Sequence, residues 1–367
     1  MCQAQLGLAE GLRVSEGFDE ALDLLAQAQR TAERHDMVAE LARIHHLRGN
    51  IFFPLGNIDG CREEHERGHD FAQRSGSPEA EARALGGLAD AAYAQGRMRS
   101  AFHHFSRCVA LSQQHGFGRI EVANRAMVGF SRIYLNEVLQ AKEDGDAAAR
   151  AAALVGQPRA QLIGETMGGF ACLEQGDFDL MQGYLDRMMR LVRQLGARRF
   201  EPGPLQLQAR VLLDTGRRAE AAEMLREALA ICREAGMQFI GPKIISALSR
   251  AEDDPVERAA LLAEGKEILR RGAVGHNHLW FYRDAIEALL SAGDGAGALE
   301  YVAALEDYTR TEPLPWSDLF VKRGRLLARA LQGVDEDIRA ELTGIRSSLE
   351  RAPFKPFLPL VNAALDK

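Results

Sequence analysis

Residues 207–229 read LQARVLLDTGRRAEAAEMLREAL, and this stretch decides the fold. A small residue, Ala209, precedes Gly216, and two further alanines follow at Ala221 and Ala228. From Ala221 onward the apolar residues recur at the three- and four-residue spacing of one helix face. Glycine supplies the left-handed conformation in which many helices end. The stretch therefore predicts two helices, joined by a tight turn, that approach closely where the side chains are small.

The same arrangement recurs every 40 residues. The first small position is filled by Ala9, Gly49, Ala89, Gly129, Gly169 and Ala209, and the position that opens the second helix by Ala21, Cys61, Ala101, Ala141, Met181 and Ala221. Self-similarity at a fixed period predicts stacked units, each of which buries its apolar face against its neighbours. We therefore expect an all-α fold, an α-α superhelix.

The boundaries follow from the same count. We expect a helical repeat array of about nine helix pairs over residues 1–352, with a capping tail over residues 353–367. The second helices should open near residues 21, 61, 101, 141, 181, 221, 260, 298 and 338, so the interval shortens by about three residues around Asp253-Asp254-Pro255. The array starts at a repeat boundary, and an open first repeat predicts an upstream domain or a partner.

Composition narrows the function classes. The net charge of −7 argues against a general nucleic-acid or anionic-membrane binder. No apolar stretch reaches the roughly 18 residues that span a bilayer, and the first residues lack a signal-peptide pattern. Five cysteines without a CxxC pair favour a reducing compartment, and we expect the cytoplasm.

The frame of Ala209, Gly216, Ala221 and Ala228 resembles the tetratricopeptide repeat (TPR). The period is longer than is usual for that family and is similar to the helical-repeat arm of the maltose-type transcription activators. HEAT and armadillo repeats have a similar length but lack the small-residue frame. The resemblance implies a right-handed solenoid whose inner groove binds a protein segment or an effector.

The last third carries more specific text. Residues 276–287, HNHLWFYRDAIE, and residues 305–318, LEDYTRTEPLPWSD, resemble the C-terminal repeat region of bacterial class III adenylate/guanylate cyclases that also carry an AAA-type ATPase module. The chain has no G-x-x-x-x-G-K-[ST] phosphate-binding motif. The resemblance thus implies the repeat part of such a signalling protein, or a stand-alone descendant of it.

Two motifs suggest chemistry. His65-Glu66-Arg67-Gly68-His69 matches H-E-x-x-H, in which His65 and His69 would hold zinc on one helix face. The alternative is that His65 and Gly68 are core residues of their repeat, and no third ligand stands at a zincin spacing. Cys108 and His104 are one turn apart, but Cys108 occupies a small-residue position where burial opposes a reactive thiolate. We expect no cofactor, no metal and no enzymatic activity.

The inner groove of the predicted solenoid is a stronger candidate for the functional site than either of these motifs. In the TPR family four positions of each first helix line the concave face. The corresponding candidates are Arg43, His46, Asn50, Arg83, Asp90, Tyr93, Arg210, Trp280, Arg283, Glu287 and Arg323. Arginine and aromatic side chains commonly anchor protein interfaces. The carboxylate clamp of co-chaperones matches only at Asn50 and is not carried over. The alternative is a solvated face, and the aromatic stretch 276–284 is either a binding patch or a heavier core.

The sequence therefore predicts a non-enzymatic interaction module of a bacterial signalling protein. Its groove would receive a peptide, or another domain of the same polypeptide. The alternative function is a small-molecule sensor that controls an attached cyclase, ATPase or transcription domain, through an effector that shifts the population of conformers.

Overall fold

The computed structural model describes residues 2–14, 17–196 and 198–367, which form nineteen α-helices and two 3-10 turns, with no strand among them. The helices are α1 (Cys2–Val14), α2 (Phe18–Arg34), α3 (Val38–Phe52), α4 (Ile58–Ser75), α5 (Pro78–Ala94), α6 (Met98–His115), α7 (Gly118–Ile133), α8 (Val138–Leu154), α9 (Pro158–Gln175), α10 (Phe178–Leu195), α11 (Pro202–Asp214), α12 (Arg218–Ala235), α13 (Gly241–Ala251), α14 (Pro255–Arg271), α15 (Gly275–Ser291), α16 (Gly295–Thr309), α17 (Pro315–Ala330), α18 (Glu336–Arg351) and α19 (Leu358–Leu365). The 3-10 turns are Arg198–Phe200 and Lys355–Phe357.

The fold is a TPR-like solenoid of helix pairs, as the sequence predicts. Local signals set the ends of the helices. The Asn57 side chain accepts a hydrogen bond from the Gly60 amide and caps α4, and Ser77 caps α5 in the same way through the Ala80 amide. Gly76 ends α4 at φ 65°, a conformation that costs glycine little.

Small residues lie where the helices cross. Ala89, Ala101, Ala209 and Ala221 are completely buried. A methyl group on Gly129 would lie 2.8 Å from the carbonyl oxygen of Ala141 in α8. A larger residue would separate the two helices or distort them. Small residues therefore recur every 40 residues because neighbouring helices approach closely at these positions.

The chain divides into two compact units, an N-terminal unit that ends at Val128 and a C-terminal unit that begins at Gly129. In the N-terminal unit, a core cluster of Leu6, Leu25, Ile44 and Ile51 joins α1, α2 and α3. In the C-terminal unit, Trp316, Phe320, Phe354 and Phe357 are among the largest fully buried side chains.

The seventh repeat departs from the expected register. Helix α14 buries Arg258, Leu262, Gly265 and Leu269, which repeats the spacing of the buried set Ala221, Leu225, Ala228 and Cys232 in α12. The position that opens the helix is therefore Arg258, whereas Ala260 is exposed. Arg258 fits because its guanidinium donates to the carbonyl oxygens of Glu252 and Asp253, at 2.7 and 3.2 Å.

The C-terminal segment packs on the last helices. Helix α19 contacts α17 and α18, and the 3-10 turn that precedes it contacts α9. Phe354 and Phe357 are buried, and the Arg323 guanidinium donates to the Phe357 carbonyl oxygen at 2.9 and 3.2 Å. These contacts suit a cap over the end of a repeat array.

All five cysteines are buried thiols. Burial raises the pKa of Cys61 and Cys108 to about 12 and that of Cys172 and Cys232 to about 11. The Cys108 thiol donates to the Ala82 carbonyl oxygen at 3.1 Å, so it is a packing residue rather than a nucleophile. In the described parts of the chain, no helix combines the length and apolarity that crossing a bilayer requires.

Candidate functional site

In the N-terminal unit, neighbouring helices α3 and α5 carry the six candidates from this half of the chain. We call these residues the α3–α5 face: Arg43, His46, Asn50, Arg83, Asp90 and Tyr93. The side chains of Arg43 and Arg83 are 45% and 48% exposed, and Asp90 is exposed. His46, Asn50 and Tyr93 are half-buried. The face thus has a polar floor between exposed charges.

Hydrogen bonding and charge organise this floor. The side-chain amide of Asn50 lies 3.0 Å from His46 Nε2, which fixes the ring orientation. Burial holds the pKa of His46 well below its usual value, and the nearby charges of Arg83, Arg13 and Arg43 act in the same direction. The His46 ring is therefore neutral at pH 7, and three guanidinium groups lie close enough to act on it.

Each exposed arginine of the face has an exchangeable partner. Arg43 pairs with Glu10 at 2.5 Å, and Arg83 pairs with Glu79 at 2.7 Å. Exposed ion pairs of this kind contribute roughly 0–1 kcal/mol, so a carboxylate of a ligand can replace the glutamate at little cost. Gly86, one turn after Arg83 in α5, is buried and lies against Asn124.

The H-E-x-x-H histidines occupy different environments. His65 is buried, and its ring is packed so tightly that a methyl group on Gly49 or Gly87 would lie 2.2–2.9 Å from it. Burial lowers the pKa of His65 to about 4, although Glu64 opposes the shift. His69 Nε2 lies 3.6 Å from Glu81. Within residues 2–14, 17–196 and 198–367, no three His, Cys, Asp or Glu side chains converge to hold a metal ion.

The candidates of the C-terminal unit are buried. Arg210 and Arg283 are 0% exposed, Arg323 1%, Trp280 2% and Glu287 5%. The repeat register predicts them on the inner helix face, but in the structure all five are buried. Glu174 of α9 and Asp284 of α15 reach the arginines from helices that the chain brings together. These five residues therefore do not line an open groove, contrary to the expectation from the repeat register.

A buried ion network occupies the interior. Arg283 bonds to Glu174 at 3.1 Å and to Asp284 at 3.0 Å. Arg210 lies 3.5 Å from Asp284 and 3.8 Å from Glu174. Burial alone would raise the pKa of Asp284, but Arg210, Arg283 and Arg250 lower it to about 2. Arg323 makes a two-pronged hydrogen bond with Glu287.

Aromatic rings enclose this network. Trp280 meets Phe170 edge-to-face at 4.6 Å and Trp316 at 5.3 Å between ring centroids. The Arg283 guanidinium lies 4.0 Å from the centroid of Trp280 and 4.5 Å from that of Phe357. Of the stretch 276–284, Trp280, Phe281 and Asp284 are core residues, whereas His278 and Tyr282 are half-buried and His278 stacks on Tyr308.

Lys243 lies beside the same network and is not among the residues that the sequence predicts for the site. Its ammonium lies 4.5 Å from the centroid of Phe170 and 5.1 Å from that of Trp280. Burial, together with the charges of Arg210 and Arg283, lowers the pKa of Lys243 to about 7. Lys243 stands 40 residues before Arg283, so the repeat count would have found it once the short interval was placed ahead of α13.

Two cavities lie beside the network and are both lined by Arg250, which is 3.9 Å from Asp284. The first, which we call the central cavity, measures about 430 Å³; its walls comprise Gly176, Phe178, Leu213, Asp214, Arg218, Arg250, Glu287, Ser291, Lys355, Pro356, Pro359 and Leu360. The second, of about 350 Å³, shares Arg218, Arg250 and Ser291 with the first and adds Arg258. The central cavity combines charged and apolar side chains, whereas the lining of the second cavity is mostly charged.

Comparison with known proteins identifies the family. A family model described as the MalT-like TPR region matches residues 2–253, more than half of the chain, and the chain belongs to that family. No curated protein matches the chain. The long-period TPR assignment is therefore correct.

Solved structures share the fold at low sequence identity. A Rap protein complexed with Competence and Sporulation Factor matches with a TM-score of 0.64 at 12% identity, covering 100% of this chain and 98% of that chain. NprR in complex with its cognate peptide NprX matches with a TM-score of 0.62 at 11% identity over 87% of this chain and 96% of that one. The apo form of the quorum sensor NprR from B. thuringiensis gives 0.57 at 12% identity, over 99% and 97%. These similarities concern the fold.

Proposed function

We propose that this member of the MalT-like TPR family is a non-enzymatic regulatory scaffold that binds an acidic peptide segment on the α3–α5 face. The observation that carries the proposal is the pair of exposed arginines, Arg43 and Arg83, above the half-buried floor of His46, Asn50 and Tyr93. Guanidinium groups recognise carboxylates through paired hydrogen bonds, and tyrosine adds apolar contact area. Asp90, at the exposed edge, suits a basic residue or the amino terminus of the same peptide.

The fold neighbours support a peptide ligand in general terms. One of them, NprR, is described in complex with its cognate peptide. The filled interior of the C-terminal unit favours the α3–α5 face over positions such as Arg283, because a ligand would have to displace buried ion pairs there. The partner would be a protein or a domain of the same bacterial signalling polypeptide, such as a cyclase or ATPase. The five buried thiols suit the reducing cytoplasm.

The test uses defined peptides. Fluorescein-labelled octapeptide pools of acidic, neutral and basic composition are titrated with the full chain, and anisotropy is recorded. The acidic pool should bind, and the double variant Arg43→Gln/Arg83→Gln should weaken the binding at least tenfold. Arg62→Gln is the matched control, because Arg62 forms an exposed pair with Glu66 on α4, outside the face. The absence of binding by every pool, or equal binding by the double variant, would refute the proposal.

A second candidate function is small-molecule sensing. The central cavity favours it, because its volume of about 430 Å³ lies in the usual range of ligand pockets, roughly 300–1,000 Å³. A ligand that binds only the folded chain raises its melting temperature, so a thermal-shift screen with sugars, nucleotides and amino acids tests this function. A screen in which no metabolite shifts the melting temperature would count against it.

A further inference from the structure

The end of α10 and the turn that leads into α11 form a basic part of the surface. Residues 187–199, RMMRLVRQLGARR, contain five arginines and no acidic residue, in a chain whose net charge is −7. Of these five, Arg190, Arg193, Arg198 and Arg199 are exposed. The positive charge is therefore concentrated locally and faces solvent.

A cation–π contact brings a residue of the preceding repeat to the same place. The guanidinium of Arg159, which is exposed in the first turn of α9, lies 5.9 Å from the centroid of the Phe200 ring. The Arg199 guanidinium lies 5.1 Å from the same centroid. The turn between α8 and α9 therefore borders the turn between α10 and α11. We call the five exposed arginines of this region the arginine edge: Arg159, Arg190, Arg193, Arg198 and Arg199.

Most of the arginine edge has no acidic partner. Arg198 pairs with Glu234 at 2.9 Å, through side chains that are 63% and 59% exposed. The other four arginines make no ion pair with any residue that the structure describes. Carboxylates from outside the chain can therefore reach four guanidinium groups without displacing an ion pair.

Helix dipoles explain only part of this charge. Arg193 lies in the last turn of α10, where a cation is favourable. Arg159 lies at the opposite, positive end of α9, and no acidic residue in the first turn of that helix offsets it. The corresponding helices α3 and α5 of the N-terminal unit carry Glu40 and Glu79 in that turn. An anionic partner would neutralise charge that the chain leaves uncompensated at Arg159.

Exposed aliphatic side chains accompany the arginines. Leu154, at the end of α8, is 89% exposed, and Val155, which follows it, is 51% exposed. Both belong to the turn that leads to Arg159, and an arginine of the same edge is therefore close to each of them. Apolar surface with a polar rim is a common form of protein-binding site.

The local chemistry favours an acidic protein segment over other polyanions. Arginine binds carboxylates through two parallel hydrogen bonds, and a protein segment can also cover apolar side chains. Single-stranded nucleic acid needs an exposed aromatic ring for stacking, but Phe200 is half-buried and two guanidinium groups lie over its ring. A membrane meets a wide area of a chain whose net charge is −7, whereas a short segment meets only charges within a Debye length, roughly 8 Å.

We propose that the arginine edge, together with Leu154 and Val155, docks an acidic segment of a partner protein that carries aliphatic side chains among its carboxylates. The carboxylates neutralise the arginines, and the aliphatic side chains cover Leu154 and Val155. Exposed ion pairs alone add little affinity, so acidic peptides without apolar residues bind this edge weakly. The edge belongs to the C-terminal unit, and the proposal is independent of peptide binding on the α3–α5 face of the N-terminal unit.

The experiment is fluorescence anisotropy of a labelled hexadecapeptide, in which pairs of glutamates alternate with pairs of leucines, titrated with the full chain at physiological salt. One control peptide has glutamine in place of every glutamate, and the other has serine in place of every leucine. The glutamate–leucine peptide should bind at least tenfold more tightly than either control. Equal binding of either control peptide would overturn the proposal.

Charge-reversal variants locate the site. Arg193→Glu/Arg199→Glu should weaken binding of the glutamate–leucine peptide at least tenfold. Arg30→Glu/Arg34→Glu is the matched control, because it changes the net charge equally at two exposed arginines of α2, and it should leave binding unchanged. Undiminished binding by Arg193→Glu/Arg199→Glu, or an equal loss in the control, would overturn the proposal.

An apolar variant tests the second component of the surface and keeps the arginines intact. Leu154→Ser should weaken binding at least threefold, whereas Val256→Ser, at a side chain of α14 that is 73% exposed, should not. Circular dichroism verifies that each variant is folded. Equal binding by the two serine variants would overturn the role of Leu154.

Other outcomes separate this proposal from its alternatives. If only Arg43→Gln/Arg83→Gln abolishes binding, the peptide occupies the α3–α5 face, so the arginine edge fails and the proposed function stands. Vesicles that contain phosphatidylserine and single-stranded DNA are titrated in parallel. Tighter binding of either one than of the glutamate–leucine peptide would overturn the choice of a protein partner.

Discussion

The Arg283 guanidinium donates hydrogen bonds to both carboxylate oxygens of Glu174, at 3.1 and 3.2 Å, and thereby joins two helices through residues that are 109 positions apart in the chain. Both side chains are completely buried. Removing one member of such a pair leaves the other charged and without hydration. Removing one member of this contact should therefore cost more stability than removing one member of a surface ion pair.

We predict that Glu174→Gln lowers the free energy of unfolding by about 3–5 kcal/mol, because Arg283 and Arg210 lose a buried counter-charge while the side-chain volume stays the same. Urea denaturation followed by far-ultraviolet circular dichroism measures the change. Glu220→Gln, in an exposed pair with Arg217, is the control and should produce no measurable change. Equal stability of wild type and Glu174→Gln would contradict the structural role of the network.

Lys243 should make stability depend on pH. Burial lowers its folded-state pKa to about 7 from the ordinary value of 10.5. Between these values the unfolded chain holds a proton that the folded chain lacks, so the free energy of unfolding rises as pH rises from about 7. Below pH 7 the folded chain bears the full cost of the buried ammonium.

The measurement is the difference in unfolding free energy between wild type and Lys243→Met as a function of pH. It should grow in favour of wild type above pH 7, with a slope of up to about 1.4 kcal/mol per pH unit. The subtraction removes the opposite effect of the buried thiols Cys61 and Cys108, whose raised pKa values act at higher pH. A difference that does not vary with pH would show that Lys243 titrates normally.

Gly87 should resist substitution. A methyl group there would lie 2.2–2.3 Å from the His65 ring, so Gly87→Ala should destabilise the chain by about 1–3 kcal/mol despite the better helix propensity of alanine. A methyl group on Gly7 would have nothing within 4 Å, and Gly7→Ala should be neutral or stabilise by up to about 1 kcal/mol. Thermal unfolding distinguishes the two. A harmless Gly87→Ala would mean that the His65 ring can move aside.

Phe357 should anchor the C-terminal segment. Its ring is 1% exposed and meets Phe320 at 4.8 Å and the Arg283 guanidinium at 4.5 Å. Phe357→Ala should therefore cost about 3–5 kcal/mol in urea denaturation. Leu154→Ala, at a side chain that is 89% exposed, is the control and should leave the midpoint unchanged. A loss no larger than that of the control would mean that the segment detaches without consequence.

The fold was predictable because its main signal is local. Ala89, Ala101 and Ala209 are small since a neighbouring helix lies against each of them, and that requirement recurs at every repeat. The departure at Arg258, which stands in place of an alanine, escaped prediction because a long side chain can satisfy the position by bonding to the backbone of the preceding loop.

The site was predictable only in part. The repeat register predicts Arg210, Arg283 and Arg323 on the inner helix face, but it could not say that these side chains are buried. The burial of Arg283 depends on an acidic partner from a distant repeat, because Glu174 lies 109 residues away in the chain. No short sequence pattern encodes that distance. The residues of the α3–α5 face come from two neighbouring repeats and are exposed or half-buried. They therefore agree better with the open surface that the repeat register predicts.

The buried thiols make the chain its own probe of unfolding. Cys2, Cys61, Cys108, Cys172 and Cys232 lie in α1, α4, α6, α9 and α12, so five different repeats each carry one protected sulfur. An alkylating reagent will modify each sulfur only when its repeat opens. Peptide mass mapping after brief exposure at rising temperature would therefore report the order in which the repeats come apart, with no label added to the protein.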